Sequence, residues 1–172
     1  MKFPCRIALL GLGNLMRTDD AFGMLAIDRL AKDKRLPETV RVIEGGTLGL
    51  DLLNSLRDIT HLLAIDAVET GDPPGTVIRF ADAQLDNLPI SKSVHLLGFS
   101  DLLGVLRLLD ASPIETVLLG VQPESTDWGT ELTPKVAAAM DEVVEVAFEQ
   151  IDQWMNAATI SREAITLPCI AC

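Results

Sequence analysis

Short apolar runs alternate along the chain with segments whose apolar positions recur at helical spacing, the pattern of an α/β domain. Arg6–Leu10 reads as a buried strand and Ala21–Ala31 as a helix with Phe22, Leu25, Ala26 and Leu30 on one side. Val40–Glu44 reads as a second strand ended by Gly45-Gly46, and Leu48–Leu56 as helical. His61–Ile65 is a third strand with Asp66 at its carboxyl end. The turn Asp72-Pro73-Pro74-Gly75 leads so directly into Thr76–Phe80 that this strand is expected to be antiparallel or at an edge. Leu96–Leu109 is a strongly apolar helix and Thr116–Val121 a further strand. Thr133 is expected to cap a last helix with Pro134 in its first turn. There Val136, Met140, Val143, Val144, Ala147, Ile151 and Trp154 keep to one stripe. Periodicity then lapses, which predicts one domain over 1–156 and a poorly ordered tail over 157–172.

Composition narrows the partners. A chain of 172 residues, 48% hydrophobic, can bury one core. Its net charge of −11 disfavours nucleic acid and anionic membrane. Polar residues interrupt the first apolar run, so neither a signal peptide nor a membrane span is expected. Three cysteines, Cys5, Cys169 and Cys172, give no disulfide framework and point to a reducing cytoplasm. The chain is expected to act as a monomer.

Candidate chemistry gathers where open α/β sheets bind ligands, at the carboxyl ends of strands. Asp19 and Asp20 follow the first strand, Asp66 the third, and His95 precedes the long apolar helix. Two carboxylates and an imidazole form an O,O,N set suited to a divalent cation with positions left open, although caps and solvated loop ends are the commoner fate of such residues. Gly11-Leu12-Gly13 is not a dinucleotide loop, since Met16 stands where a third glycine belongs and the acids lie where pyrophosphate would sit. Phosphate-loop, zinc-peptidase and serine-hydrolase motifs are absent from the sequence. The other histidine, His61, opens a strand and reads as structural or superficial. Glu69, Asp72 and Asp127 read as solvated turn residues, and Trp128 as either a groove residue or a loop anchor.

The segments "GLGNLMRTDDAFG", "EGGTLGLDLL", "LLAIDAVETGDPPGTV", "SVHLLGFSDLL" and "GVQPESTDWGTELTPKV" resemble, in order and spacing, the [NiFe]-hydrogenase maturation endopeptidases. The resemblance runs from about Ile7 to Met155. It implies a single three-layer αβα sandwich with a twisted, mostly parallel, mixed sheet. It implies an endopeptidase that removes a short C-terminal extension from the nickel-loaded precursor of the hydrogenase large subunit. It also implies a nickel-contacting triad of Asp20, Asp66 and His95, with nickel brought by the precursor. Relatives often have glutamate at the first position, where this chain has the shorter Asp20, and Asp19 is the rival for that role or a cap of the following helix. Within this reading, Gly11 and Gly13 let the chain turn tightly, Asn14 ties the loop to nearby backbone, and Gly45, Gly46 and Thr47 either contact the substrate peptide or form a simple turn. Nickel is then either recognised only or also engaged in polarising the carbonyl or a water.

Two other classes remain open. Peptidyl-tRNA hydrolases share a Gly-x-Gly-Asn loop, but theirs continues differently and an acidic chain suits tRNA poorly. A nickel-sensing chaperone that binds the precursor without cutting it is not separable by sequence. The tail "LPCIAC" places Cys169 and Cys172 at C-x-x-C spacing and is similar to the nickel-ligand motif of hydrogenase large subunits. It reads as a substrate mimic, a soft-metal handle, or a tail with two incidental thiols.

Overall fold

A computed structural model describes residues 5–87 and 94–163, for 82, 86–87, 94–97 and 159–163 the backbone alone. Strand β1 (Ile7–Leu12) is followed by a 3-10 turn (Thr18–Ala21) and helix α1 (Phe22–Lys32). Next come β2 (Arg41–Gly46), a 3-10 turn (Gly49–Leu52) continuing into the short α2 (Leu53–Leu56), β3 (His61–Ala67) and β4 (Val77–Ala81). A 3-10 segment (Asp82–Asn87), α3 (Val94–Leu108), β5 (Glu115–Val121), α4 (Pro134–Ala138) and α5 (Met140–Glu163) complete the order. The strands form one sheet in the order β2-β1-β3-β5-β4. Among the described strands only β4 runs antiparallel, which agrees with the antiparallel or edge placing expected from its short connection.

Continuous apolar strands arise because both faces of the sheet are covered. Odd positions such as Leu9, Leu63, Ile65 and Leu119 meet Phe22, Ile27 and Leu30 of α1 and Val143, Ala147 and Ile151 of α5. Even positions such as Ala8, Leu10, Leu62, Ala64 and Leu118 meet Leu56 of α2 and Phe99, Leu102 and Leu106 of α3. Residue alternation across the pleat therefore supplies two cores and a three-layer fold.

Local departures have identifiable causes. Gly45 and Gly46 are the last residues of β2, where Leu12 pairs with Gly46 after a register shift. The long terminal helix is interrupted at Ala139, whose N–H bonds to the carbonyl of Val136 at 3.1 Å in 3-10 fashion. Its apolar stripe continues regardless, and the helix extends to Glu163, past the end of that stripe. Thr133 occupies the N-cap of α4, but its hydroxyl makes no capping bond because Asp19 takes it. At the amino end of the sheet, the His61 ring packs on Trp154 with centroids 5.1 Å apart. Burial pushes the His61 imidazole below its usual range, opposed by the Glu115 charge.

Helix α1 is set directly on the sheet by Gly23. A Cβ there would lie 2.1 Å from the carbonyl oxygen of Ile65 and 2.4 Å from that of Leu12. Neither backbone oxygen can retreat without moving β1 or β3. Gly23→Ala is expected to lower stability by about 1–3 kcal/mol, read as a reduced urea midpoint with little change in slope.

Candidate functional site

The strand order reverses direction at β1. From β1 the chain crosses by α1 to β2 on one side, and from β2 it returns by α2 to β3 on the other. Loops leaving β1 and β3 therefore diverge and leave a crevice at their carboxyl ends, the position where such sheets bind ligands. Asp20 lies in the loop after β1, and Asp66 is the penultimate residue of β3.

Gly13 brings these groups together. Its φ is +118°, which glycine adopts without strain, and its N–H donates to the Gly46 carbonyl at 3.0 Å. A Cβ at this position would stand 1.8 Å from the Asp20 carbonyl oxygen and 3.7 Å from Asp66 Oδ1. The Asp20 backbone carbonyl, Asp66 Oδ1 and the end of β2 thus crowd around Gly13, where a side chain has no room. The next N–H, from Asn14, donates to both the carbonyl and Oδ2 of Asp20, at 3.2 and 3.1 Å. The Asn14 amide oxygen accepts from the Met16 N–H at 2.9 Å, so the asparagine closes its own turn. Asp66 is fully buried, and its Oδ1 accepts from the Ala67 N–H at 2.8 Å.

Asp19 and Asp20 have separate tasks. Asp19 is fully buried, and Oδ1 accepts from the Thr133 N–H at 2.7 Å. Its Oδ2 accepts from the N–H groups of Glu124 and Ser125 and from the Thr133 hydroxyl, at 2.9, 3.0 and 2.9 Å. Four donors thus satisfy this carboxylate within the fold, three of them on Oδ2. Asp19 therefore does not cap α1; it pins the 124–133 loop to the loop after β1. More bonds join the same two loops: Thr18 N–H to the Gly129 carbonyl, Asp19 N–H to that of Ser125, and Gly129 N–H to that of Met16.

Two further walls border the acids. Gly46, Thr47, Gly49 and Leu52 face Gly98 and Phe99 of α3 across a cavity of about 70 Å³. Gly46 has φ +51° and donates its N–H to Met24 Sδ at 3.3 Å, so this wall is bonded to α1 as well as to Gly13. Leu15, Met16, Leu48, Leu50 and Trp128 are exposed apolar residues in the three loops around the crevice. Trp128 is 79% exposed with the Arg17 guanidinium over its ring at 5.8 Å, so it is not a packed anchor. His95 is in the first turn of α3, one turn before Gly98 and Phe99, on the helix covering the face of the sheet to which Asp66 belongs. Its side chain lies outside the described residues. Among the described residues no group of three His, Cys, Asp or Glu side chains is poised around one point.

Some important groups gave little sign in the sequence. Gln122 is buried just beyond β5, and its Oε1 accepts from the N–H groups of Thr70 and Gly71 at 2.8 and 3.0 Å. Its Nε2 donates to Glu69 Oε1 at 2.9 Å, so Glu69 is bonded rather than merely solvated. A glutamine following an apolar strand was the available signal.

The model of the hydrogenase maturation protease family matches residues 24–150. The hydrogenase 2 maturation protease of Escherichia coli is 35% identical over 162 residues, spanning 93% of this chain and 98% of that protein. The hydrogenase expression/formation protein HupD of Rhodobacter capsulatus is 34% identical over 169 residues, spanning 94% and 80%. Among solved structures, the hydrogenase maturating endopeptidase HybD from E. coli gives a TM-score of 0.83 at 33% identity, covering 86% of this chain and 93% of that one. The [NiFe] hydrogenase maturation protease HybD from Thermococcus kodakarensis gives 0.71 at 28% identity, covering 84% and 98%.

Removing Asp19 leaves several inward-facing donors without an acceptor. Asp19→Ala is expected to cost about 3 kcal/mol or more in urea unfolding. Asp19→Asn should fall between it and the unsubstituted chain, because the amide keeps one acceptor oxygen while its NH2 faces a donor.

Proposed function

The chain belongs to the hydrogenase maturation protease family and is a peptidase, and we propose that Asp20, Asp66 and His95 form the site at which it meets its substrate. The substrate in this reading is the precursor of a [NiFe]-hydrogenase large subunit, from which a short C-terminal extension is removed. The observation that supports this reading most directly is the placing of the Asp20 backbone carbonyl and Asp66 Oδ1 around Gly13, at the switch point of the sheet. Oxygen donors in that position suit a divalent cation and would repel a phosphate.

Nickel arrives as part of the precursor and not as a resident cofactor. Bound to such donors, it would act as a Lewis acid toward a peptide carbonyl or a water. Asp20 and Asp66 orient the cargo: Asp20 is held by the Asn14 N–H and Asp66 by its bond to Ala67. His95, from α3, adds a nitrogen donor on the helix that covers Asp66's face of the sheet. Gly45, Gly46 and Thr47 present backbone to an extended peptide, and the exposed Leu15, Met16, Leu48, Leu50 and Trp128 give its apolar side chains a rim to lie against. Because recognition depends on nickel in this scheme, an unloaded precursor is ignored.

Mass spectrometry of the precursor, with and without nickel, tests this. Loss of a C-terminal peptide is expected only with nickel, and Asp20→Asn, Asp66→Asn or His95→Ala should slow it by at least about a hundredfold. Binding without mass loss would mean a chaperone. Cleavage that survives all three substitutions would place the site elsewhere.

A further inference from the structure

Arg17 and Trp128 form an exposed unit on the rim of the crevice. The Arg17 guanidinium stands over the indole ring at 5.8 Å, and most of that ring meets water. Single apolar residues on a surface need no explanation, but this one is not alone. Leu15 and Met16 are exposed in the loop bonded to its own, where the Met16 carbonyl accepts from the Gly129 N–H at 3.0 Å.

The unit is fixed from below. Arg17 Nε donates to the Thr126 carbonyl at 2.8 Å, and the Arg17 backbone bridges to Gly129. Thr18 beside it has φ +28°, a left-handed value that a β-branched residue holds only under constraint. Its N–H and hydroxyl donate to the carbonyls of Gly129 and Ser125. The Asp20 N–H in turn donates to the Arg17 carbonyl at 2.8 Å, so the guanidinium rises from the same turn as the proposed ligand.

Among the described residues Arg17 has no carboxylate partner, and the acids of the neighbouring loop are engaged elsewhere. Glu124 pairs with Lys135 at 2.6 Å, and Asp127 accepts from the Ser125 hydroxyl at 3.2 Å. Arg35 shows what completes such a unit in this same protein. Its guanidinium lies 4.1 Å over the Phe148 ring and grips both oxygens of Glu145, at 2.9 and 3.0 Å. Arg17 over Trp128 repeats the cation and the ring without the acid. A net charge of −11 repels acidic peptides in general, so a segment carrying a carboxylate needs a local cation of this kind to settle at the crevice.

Resting on the reading of Asp20, Asp66 and His95 as the cleavage site, we propose that Arg17 and Trp128 are the subsite for an acidic side chain of the precursor. Its methylene stem lies on the exposed indole surface, and its carboxylate takes the guanidinium fork. A glutamate meets both demands, whereas a terminal carboxylate has no stem for the ring.

Initial rates of cleavage of nickel-loaded precursor by the full-length chain are followed by mass spectrometry. Arg17→Gln and Trp128→Ala are each expected to raise KM about tenfold while kcat changes by less than about twofold. Arg17→Lys keeps the charge without the fork and should recover part of the loss. Added salt should raise KM for the unsubstituted chain and barely move it for Arg17→Gln, a response that a purely structural Arg17 does not give. Each Asp and Glu around the precursor's cleavage point is then changed to its amide. One of these changes should raise KM about tenfold for the unsubstituted chain and no further for Arg17→Gln. Unchanged KM in both Arg17→Gln and Trp128→Ala overturns the proposal. So does the lack of any such precursor side chain, including a dependence on the precursor's terminal carboxylate instead. Cleavage that survives Asp20→Asn and Asp66→Asn refutes the underlying site alone, because the KM of the Arg17 and Trp128 variants is read on cleavage wherever it occurs.

Discussion

The buried carboxylate of Asp19 is the interaction on which the crevice depends. Two loops distant in sequence, one after β1 and one after β5, have no shared secondary structure to align them beyond a single bridge between Arg17 and Gly129. Three backbone N–H groups and one hydroxyl from the second loop converge on this one side chain in the first. A charged group in a dry position is tolerated only when donors replace its water, and here they do so completely. The neighbouring acid is thereby held in register: Asp20 follows Asp19 within one 3-10 turn, so the fixing of one sets the direction of the other.

Close backbone approach does the remaining work. Gly23 lets α1 sit against the carbonyls of β1 and β3, and Gly13 lets the loop after β1 pass against the Asp20 carbonyl and beside Asp66 Oδ1. Both positions are governed by what a Cβ would strike. The site is thus made of backbone pressed close around two buried acids, with apolar loop residues exposed nearby. Such a surface suits an extended peptide that brings its own cation better than a small diffusible substrate enclosed in a pocket.

Much of this was legible in the chain. Apolar runs with both faces buried gave the strands, the Asp-Pro-Pro-Gly turn gave the antiparallel edge, and Asp66 at the end of a buried run marked the crevice. The ordered motifs identified the family, as the comparisons then showed. What sequence spacing did not reveal was the bonding of Asp19, because its donors lie more than a hundred positions away. Thr133 holds the expected N-cap position with Pro134 in the first turn, but its hydroxyl goes to a distant carboxylate that local pattern does not show.

The division between Asp19 and Asp20 is tested most directly by anomalous diffraction from crystals soaked in a divalent nickel salt. A peak is expected within about 2.0–2.6 Å of carboxylate oxygens of both Asp20 and Asp66, with the four bonds of Asp19 unchanged. A peak on Asp19, or one that touches neither Asp20 nor Asp66, would contradict it.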